Sequence, residues 1–519
     1  MARRLPACAL LLFSACSSAP VVPAAPVASV EGSEITAAEL QRDLTAFAHD
    51  SMRGRETGTE DATRAARFLA DRVRRLGLEP AGDSLYVQRV PLQRESFTAT
   101  SRIAVVQGGR ATPLMIGEDV VPVINLGAGV PPTRRSADGD VVFVGYGLAT
   151  AKPKRDDLAG LDLDGKVVVV VNGAPAGSDS VTRASLEAET AISDRLAAIL
   201  PQRPAAVVVL FAGSGEGLFR QLAPSLVRGV SARTPDVEIP DSERPLPMIV
   251  FGVARAGSPL LPARWPADDR AQVLTGRRFT ARVAQSRIPF TAYNVAGVLR
   301  GSDPTLSRTY VALGAHYDHI GVVSPVGGDS IANGADDDGS GSMSMLAIAR
   351  VMQLAPVRPK RSMLFVWHTG EEKGLLGSGW FTDHPTVPID SIVAQLNVDM
   401  IGRNASSLLY TVGPVSAPNN LGKRLGAIVD SVNAAQPTPF VINRDFDSPT
   451  HPEHIFERSD HFNYARKGIP IVFFTTGLHA DYHAVGDDAQ KIDYEKLSRV
   501  ARLVRDVAAT VGNQPKRPR

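Results

Sequence analysis

Cysteine is almost absent from this 519-residue sequence. The two cysteines, Cys8 and Cys16, both lie near the N-terminus. The rest of the chain therefore contains no disulfide and no thiolate that could bind a metal. Any metal site there must be built from His, Asp and Glu side chains.

A strong charge of either sign and a long basic run are also missing. The formal net charge is +2, and charged residues make up 21% of the chain. Neither a nucleic acid nor an acidic membrane surface is expected as a partner. A hydrophobic fraction of 44% is typical of a globular protein, and the length of 519 residues predicts two or three domains.

The N-terminus lacks an apolar run long enough to span a bilayer. Residues 5–13 are apolar and follow Arg3 and Arg4, which is the pattern of an export signal. The segment Phe13-Ser14-Ala15-Cys16 resembles the lipobox of bacterial lipoproteins, although leucine is usual where Phe13 stands. Residues 1–16 thus predict a lipoprotein-type signal peptide with Cys16 lipidated, and a plain secretory signal is the alternative. The protein is expected to be anchored to the outer membrane by this lipid, in the periplasm or at the cell surface, or otherwise secreted.

The rest of the chain divides into a tether and three parts. Residues 17–35 are rich in Pro, Ala and Val and predict an extended tether, followed by 36–110, 111–286 and 287–519. The middle part has short strands bounded by glycines and no carboxylates clustered at ligand spacing, which indicates a separate domain without chemistry of its own. From about Asn294, strand and helix patterns alternate. This predicts an α/β fold with a mainly parallel sheet and helices on both faces.

Acidic and imidazole side chains are concentrated where the predicted strands end, and sites form at that edge of such sheets. Five segments carry them: His316-Tyr317-Asp318-His319, Asp336-Asp337-Asp338, Glu371-Glu372, Asp399-Met400 and His479-Ala480-Asp481-Tyr482-His483. Consecutive carboxylates repel one another, so their clustering costs stability unless a cation neutralises them. Imidazole and carboxylate ligands without thiolate suit zinc, with cobalt or manganese as substitutes.

In order and residue type, these motifs resemble the dizinc aminopeptidase family, which includes secreted bacterial leucyl aminopeptidases and glutamate carboxypeptidase II. The resemblance covers about residues 36–110 and 287–512. Residues 111–286 are similar to the protease-associated domain inserted in many members, notably at Phe143-Val144-Gly145-Tyr146-Gly147.

The resemblance implies two zinc ions per chain. His316 and Asp399 would bind one ion, Glu372 and His483 the other, and Asp337 would bridge both.

The same resemblance implies roles for neighbouring residues. Asp318 would accept the free imidazole N–H of His316, and Glu371 would be the general base that activates water. The flanking Asp336 and Asp338 are expected to cap the loop and face solvent.

Several residues are candidates for contact with substrate. Tyr482 is expected to donate to the oxyanion or to pack beside the site. Arg458, Asp460 and Met400 are expected to line the substrate pocket. Residues 443–457 are expected to form a mobile surface loop or a gate over the pocket.

The implied function is an aminopeptidase that releases N-terminal residues from peptides. A carboxypeptidase or dipeptidase on the same scaffold is the first alternative, with Arg403 or Arg458 binding the substrate carboxylate. A receptor-like binding protein that keeps the fold without catalysis is the second.

Overall fold

The computed structural model describes residues 34–518 apart from 125–131, 151–154, 188–189, 214, 233–245, 419–420 and 452. The predicted signal peptide, Cys16 and most of the predicted tether lie outside these ranges. Within them, none of the helices is both long and apolar enough to cross a membrane.

The described residues form helices and strands in alternation. The α-helices are α1 Ala37–Phe47, α2 Glu60–Arg75, α3 Ser180–Glu187, α4 Thr190–Ile199, α5 Gly215–Val227, α6 Gly341–Leu354, α7 Leu376–Asp383, α8 Lys423–Ala434, α9 His461–Arg466 and α10 Tyr494–Asn513. The strands are β1 Glu79–Pro80, β2 Val87–Phe97, β3 Arg102–Gln107, β4 Arg110–Pro113, β5 Val120–Val123, β6 Ser136–Phe143, β7 Ala149–Thr150, β8 Arg155–Asp156, β9 Val167–Asn172, β10 Ala206–Phe211, β11 Arg228–Ala232, β12 Met248–Val253, β13 Gln272–Arg282, β14 Gln285–Leu299, β15 Tyr310–His316, β16 Gly321–Val326, β17 Asp329–Ala332, β18 Ser362–His368, β19 Ile392–Val398, β20 Leu408–Val412, β21 Val441–Asn443 and β22 Ile471–Thr475.

The larger sheet has ten strands and carries the segments that the sequence singles out. Its order is β11-β2-β14-β18-β15-β19-β22-β20-β21, with β1 paired to β14. The neighbours β18, β15, β19 and β22 are parallel, whereas β2, β14 and β20 pair antiparallel. The sheet is therefore mixed, and the predicted parallel arrangement is found at its centre.

Helices cover both faces of this sheet, as the alternating pattern predicts. Residues of α1, α2, α6, α8 and α10 share one hydrophobic core with Leu313 and Leu396 of the sheet. On the other face, Phe381 of α7 and Tyr464 of α9 share a core with Ala312. The consecutive residues Ala312 and Leu313 thus point to opposite faces, and both are buried because the central strands are covered on both sides.

The helices of the first part are capped by threonines. The hydroxyl of Thr36 accepts from the N–H of Glu39 at 3.2 Å. The hydroxyl of Thr59 accepts from the N–H of Ala62 at 3.3 Å. Because α1 and α2 share the core of the later helices, the first part and the last part form one folded unit.

A second sheet of eight strands forms the inserted domain, in the order β4-β3-β13-β6-β9-β10-β12-β5. Its first strand along the chain begins at residue 102 and its last ends at 282. The domain thus starts before the predicted boundary at 111, because the β3–β4 hairpin pairs with β13 and not with the larger sheet. β11, in contrast, lies within the inserted sequence but pairs with β2 of the larger sheet.

Candidate metal centre

The central strands deliver the five predicted metal ligands to one place. β15 ends at His316, and Asp399 directly follows β19. Glu372 follows β18, Asp337 precedes α6, and His483 lies in the loop after β22. Parallel strands bring these residues together because their carboxyl ends meet at one edge of the sheet.

One half of the cluster consists of His316, Asp337 and Asp399. His316 Nε2 lies 3.2 Å from Asp337 Oδ1 and 3.5 Å from Asp399 Oδ1. All three side chains are buried. Their ligand atoms lie within 4.8 Å of one another, which is close enough to hold one cation.

The other ligand group consists of His319, Asp337 and Glu372, and His483 lies beside it. His483 Nε2 lies 2.9 Å from Glu372 Oε2 and 3.3 Å from Asp337 Oδ2. His319 Nδ1 lies 2.7 Å from Glu372 Oε1 and 3.7 Å from Asp337 Oδ2. The two oxygens of Asp337 thus face different halves, as a bridging ligand requires. His319 was not predicted from the sequence, although it occurs in the same post-strand segment as a predicted ligand.

The carboxylates create a strong negative potential in the cluster. Burial alone would lower the pKa of His316, but Glu371 and Asp399 outweigh it and raise that pKa well above the ordinary value. Burial and a neighbouring aspartate would raise the pKa of Glu372, but His483 and a second histidine hold it at about 2. A pair of divalent cations is the simplest source of positive charge for such a site.

Several buried polar atoms of the cluster have no hydrogen-bond partner among the described residues. They are His316 Nε2, both ring nitrogens of His319, Glu372 Oε1 and Asp399 Oδ1. The close approach of His319 to Glu372 does not have hydrogen-bond geometry. Each such atom costs about 1–3 kcal/mol, so their concentration does not serve stability. Zinc fits this set of imidazole and carboxylate donors, and binding it would satisfy them.

The outer two of the three consecutive aspartates are buried, and the prediction that they face solvent was wrong. Asp338 accepts from the N–H groups of Gly341 at 2.8 Å and His316 at 3.2 Å. Asp336 accepts from the N–H of Gly402 at 2.7 Å. Both cap backbone around the site, as predicted, and neither belongs to the two ligand groups.

Asp487, which was not predicted, fixes the backbone of the bridging aspartate. Its buried carboxylate accepts from the N–H groups of Asp336 and Asp337, each at 3.0 Å. Its carbonyl oxygen accepts from the N–H of Ala335 at 3.0 Å. These hydrogen bonds fix the backbone conformation of residues 335–337.

Arg55 is a buried cation from the first part of the chain and is fully shielded from solvent. It donates to the carbonyl oxygens of Tyr317 at 2.7 Å, Asn333 at 2.7 Å and Gly334 at 2.8 Å. Burial lowers the pKa of Arg55 to about 10 even though Asp487 opposes that shift. The Arg55 guanidinium therefore joins the segment that follows β15 to residues 333–334, which precede the three consecutive aspartates.

Asp318 orients His316 through a different atom from the one predicted. His316 Nδ1 lies 3.0 Å from the backbone oxygen of Asp318 but 3.9 Å from its carboxylate. The carboxylate accepts instead from the Thr57 hydroxyl at 2.9 Å and the Glu371 N–H at 3.2 Å. The predicted carboxylate–imidazole hydrogen bond was therefore wrong, and the carboxylate positions the segment that carries Glu371.

Glu371 lies beside the ligand groups without belonging to either of them. Its Oε2 is 3.9 Å from His316 Nε2, and burial raises its pKa well above the ordinary value. On the same side, Asp399 Oδ2 accepts from the Ser459 hydroxyl at 2.8 Å, and Ser459 accepts from the amide of Asn397 at 2.8 Å. This chain of hydrogen bonds orients Asp399 toward the metal cluster.

A cleft opens from the cluster and has mainly apolar walls. It is lined by Asp337, Glu371, Asp399, Met400, Phe446, Ile455, Arg458, Phe473, Thr475, Gly477, Leu478 and Tyr482.

Three of the four predicted substrate-contact residues line this cleft. Met400 and Tyr482 do so, and Arg458 donates to the Tyr482 hydroxyl at 3.2 Å. The Tyr482 ring stacks on His483 with 3.9 Å between ring centroids. The fourth residue, Asp460, is fully buried and is not among the residues that line the cleft.

Residues 294–508 match the sequence profile of peptidase family M28. Over 250 residues the chain is 29% identical to a probable leucine aminopeptidase of Trichophyton verrucosum, which covers 47% of this chain and 64% of that protein. Over 245 residues it is 29% identical to a probable leucine aminopeptidase 2 of Aspergillus oryzae, covering 43% of this chain and 45% of that protein. The chain thus spans less than two thirds of these relatives.

Two solved structures share the architecture over nearly the whole chain. An aminopeptidase from Aneurinibacillus sp. strain AM-1 matches with a TM-score of 0.55 at 19% identity and covers 94% of this chain and 96% of its own. A zinc aminopeptidase from Bacillus subtilis matches with a TM-score of 0.52 at 18% identity, covering 93% and 96%. The fold of this chain therefore occurs in known structures.

Proposed function

We propose that this protein is a zinc-dependent exopeptidase, and specifically an aminopeptidase that releases N-terminal residues from peptides. The observation that carries the proposal is the convergence of two ligand groups on Asp337, with Glu371 beside them and outside both groups. Relatives named leucine aminopeptidase and a structural neighbour named zinc aminopeptidase support it.

Each ligand group would hold one zinc ion, and Asp337 would bridge the two. When bound, the ions supply Lewis acidity that activates water and polarises the scissile carbonyl. Glu371 takes the proton of the attacking water and delivers it to the leaving amine, a role typically worth about 10²–10⁴ in rate. The free α-amine of the substrate would bind beside the metal centre, which restricts cleavage to the first peptide bond.

Tyr482 would stabilise the negative charge that develops on the substrate carbonyl oxygen. Its hydroxyl lies in the cleft and accepts from Arg458, which leaves the hydroxyl proton available for donation. The apolar walls would accommodate an apolar side chain on the N-terminal residue, since such surface is removed from water when the cleft is filled.

We also propose that the protein is exported as a lipoprotein through Cys16 and that the inserted domain is a protease-associated domain. The sequence pattern around Cys16 supports the first proposal. Expression of the full-length Cys16→Ser chain should move the protein from the membrane fraction to the soluble fraction. Persistence in the membrane fraction would exclude lipidation at Cys16.

The activity is tested with the purified, zinc-loaded protein on three substrates: leucine p-nitroanilide, its N-acetyl derivative, and an N-blocked dipeptide with a free carboxylate. An aminopeptidase hydrolyses the first and spares the other two. Hydrolysis of the blocked dipeptide alone would identify a carboxypeptidase. Absence of hydrolysis with zinc bound would identify a binding protein.

A further inference from the structure

One wall of the cleft is carried by the loop of residues 443–457. Phe446 and Ile455 from this loop line the cleft together with Phe473 and Leu478. The Phe446 ring stacks on Tyr410, with 4.4 Å between centroids and 24° between planes. The wall is therefore an aromatic surface that rests on β20.

Gly477 lies directly against the stacked rings of Tyr410 and Phe446. Its φ is +89°, and a Cβ atom there would lie 3.1 Å from the Tyr410 ring and 3.3 Å from the Phe446 ring. A side chain at position 477 would push against the stacked pair. The packing therefore leaves little room for Phe446 to move inward.

Asp447 ties the loop to the end of β20. Its carboxylate is fully buried and accepts from the N–H groups of Gly413 at 2.7 Å, Val415 at 2.7 Å and Ser416 at 2.9 Å, and also from the Ser416 hydroxyl. Hydrogen bonds to a buried carboxylate are about twice as strong as neutral ones. The loop that the sequence predicts to be mobile or to form a gate is thus held in place at Asp447, next to Phe446, which lines the cleft.

The position of the cleft indicates which part of a substrate touches this wall. Asp337, Glu371 and Asp399 form the end of the cleft at the metal cluster, beside which the free α-amine of a peptide would bind under the proposed function. The side chain on the same α-carbon then extends toward the apolar walls. We expect a long apolar side chain to bury more surface against these walls than a methyl group does.

We infer that Asp447 is a positioning residue that fixes Phe446 and thereby sets the preference for large apolar N-terminal residues. This inference rests on the proposed aminopeptidase function. It concerns selectivity and leaves the catalytic groups untouched, because Asp447 contacts the 413–416 turn and not the metal cluster.

The test compares leucine and alanine p-nitroanilides on the zinc-loaded Asp447→Asn protein. Asn places an N–H₂ group or a neutral oxygen where three N–H donors converge, so the loop should shift. We expect KM for the leucine substrate to rise about tenfold, KM for the alanine substrate to change less than about twofold, and kcat to stay within about threefold of the parent protein. Phe446→Ala should reproduce this pattern. This variant replaces Asp447→Asn in the test if Asp447→Asn does not fold.

The matched control is Asp445→Asn, an exposed aspartate in the same loop, which should leave both KM values unchanged. Equal rises in KM for both substrates, or no rise for either variant, would overturn the inference. Calorimetric binding of free leucine and alanine to the same proteins gives the comparison without turnover. Selective loss of leucine binding by Asp447→Asn in a protein that hydrolyses nothing would refute the proposed function and keep the inference.

Discussion

The inserted domain and the metal cluster bury charged groups in opposite ways. In the inserted domain, Arg155 donates to the Asp157 carboxylate at 2.7 Å and to the Asp269 carboxylate at 3.0 Å. Arg195 is buried there and donates to the carbonyl oxygens of Tyr146 at 3.0 Å and other residues. These cations are matched by oxygens of the protein itself.

At the edge of the larger sheet, carboxylates and imidazoles are crowded together and several of their atoms remain unpartnered. A buried charge that is compensated inside the protein serves structure. A buried cluster with unmet partners indicates a ligand that brings its own charge. The difference between the two regions thus separates the part of the molecule that holds the fold from the part that performs chemistry.

The largest expected effect comes from Glu371→Gln, which keeps the shape of the side chain but removes its ability to carry a proton. Turnover of leucine p-nitroanilide should fall by at least about 10³-fold while the zinc content is unchanged. Steady-state kinetics and metal analysis measure the two quantities. Glu495→Gln, an exposed glutamate at the start of α10, is the control and should behave like the parent. Near-normal turnover in Glu371→Gln would remove Glu371 from the mechanism.

A smaller effect is expected from Arg55→Met, because Arg55 supports the metal-binding segments without touching the cleft. Zinc affinity should fall by about 10–100-fold, the range seen when groups behind metal ligands are removed. Titration with a competing chelator measures it. Arg53→Met, an exposed arginine two positions earlier, should have no effect. Unchanged affinity in the Arg55 variant would show that it serves only the fold.

The smallest effect on activity is expected from Arg155→Met, which acts in the inserted domain. Leaving Asp157 and Asp269 unpaired should destabilise that domain by about 3–5 kcal/mol, while zinc content and turnover of the folded protein stay unchanged. Denaturant unfolding measures the loss. The exposed pair of Arg264 and Asp268 provides the control, since Arg264→Met should cost less than about 1 kcal/mol. A loss of zinc in the Arg155 variant would show that a buried charge of the inserted domain also supports the metal cluster, which would contradict the comparison.

Much of the fold follows from patterns along the sequence. In β15 and β18, apolar runs are followed by polar residues, so both the strands and the ligands near their ends are recognisable. The boundary of the inserted domain was misplaced because β3 alternates like an edge strand in either sheet. Only its pairing with β13 assigns it.

The candidate site was predicted less completely than the fold. The ligands carry a strong signal because charged residues at strand ends are otherwise costly. Asp487 and Arg55 carry no comparable signal, because their positions depend on contacts between segments far apart in sequence. The hydrogen-bond partner of the His316 ring was assigned to the wrong atom of Asp318. Sequence spacing does not distinguish the backbone carbonyl oxygen of a residue from its side-chain carboxylate.

The central claim is that Asp337 joins two metal-binding groups, and metal counting on the purified protein tests it most directly. The parent protein, dialysed against excess zinc and then against buffer, should retain two ions per chain and release them to a chelator together with its activity. Asp337→Ala should retain fewer than one, because the bridge serves both ions. Two tightly held ions in Asp337→Ala, or none in an active, chelator-resistant parent, would contradict the account.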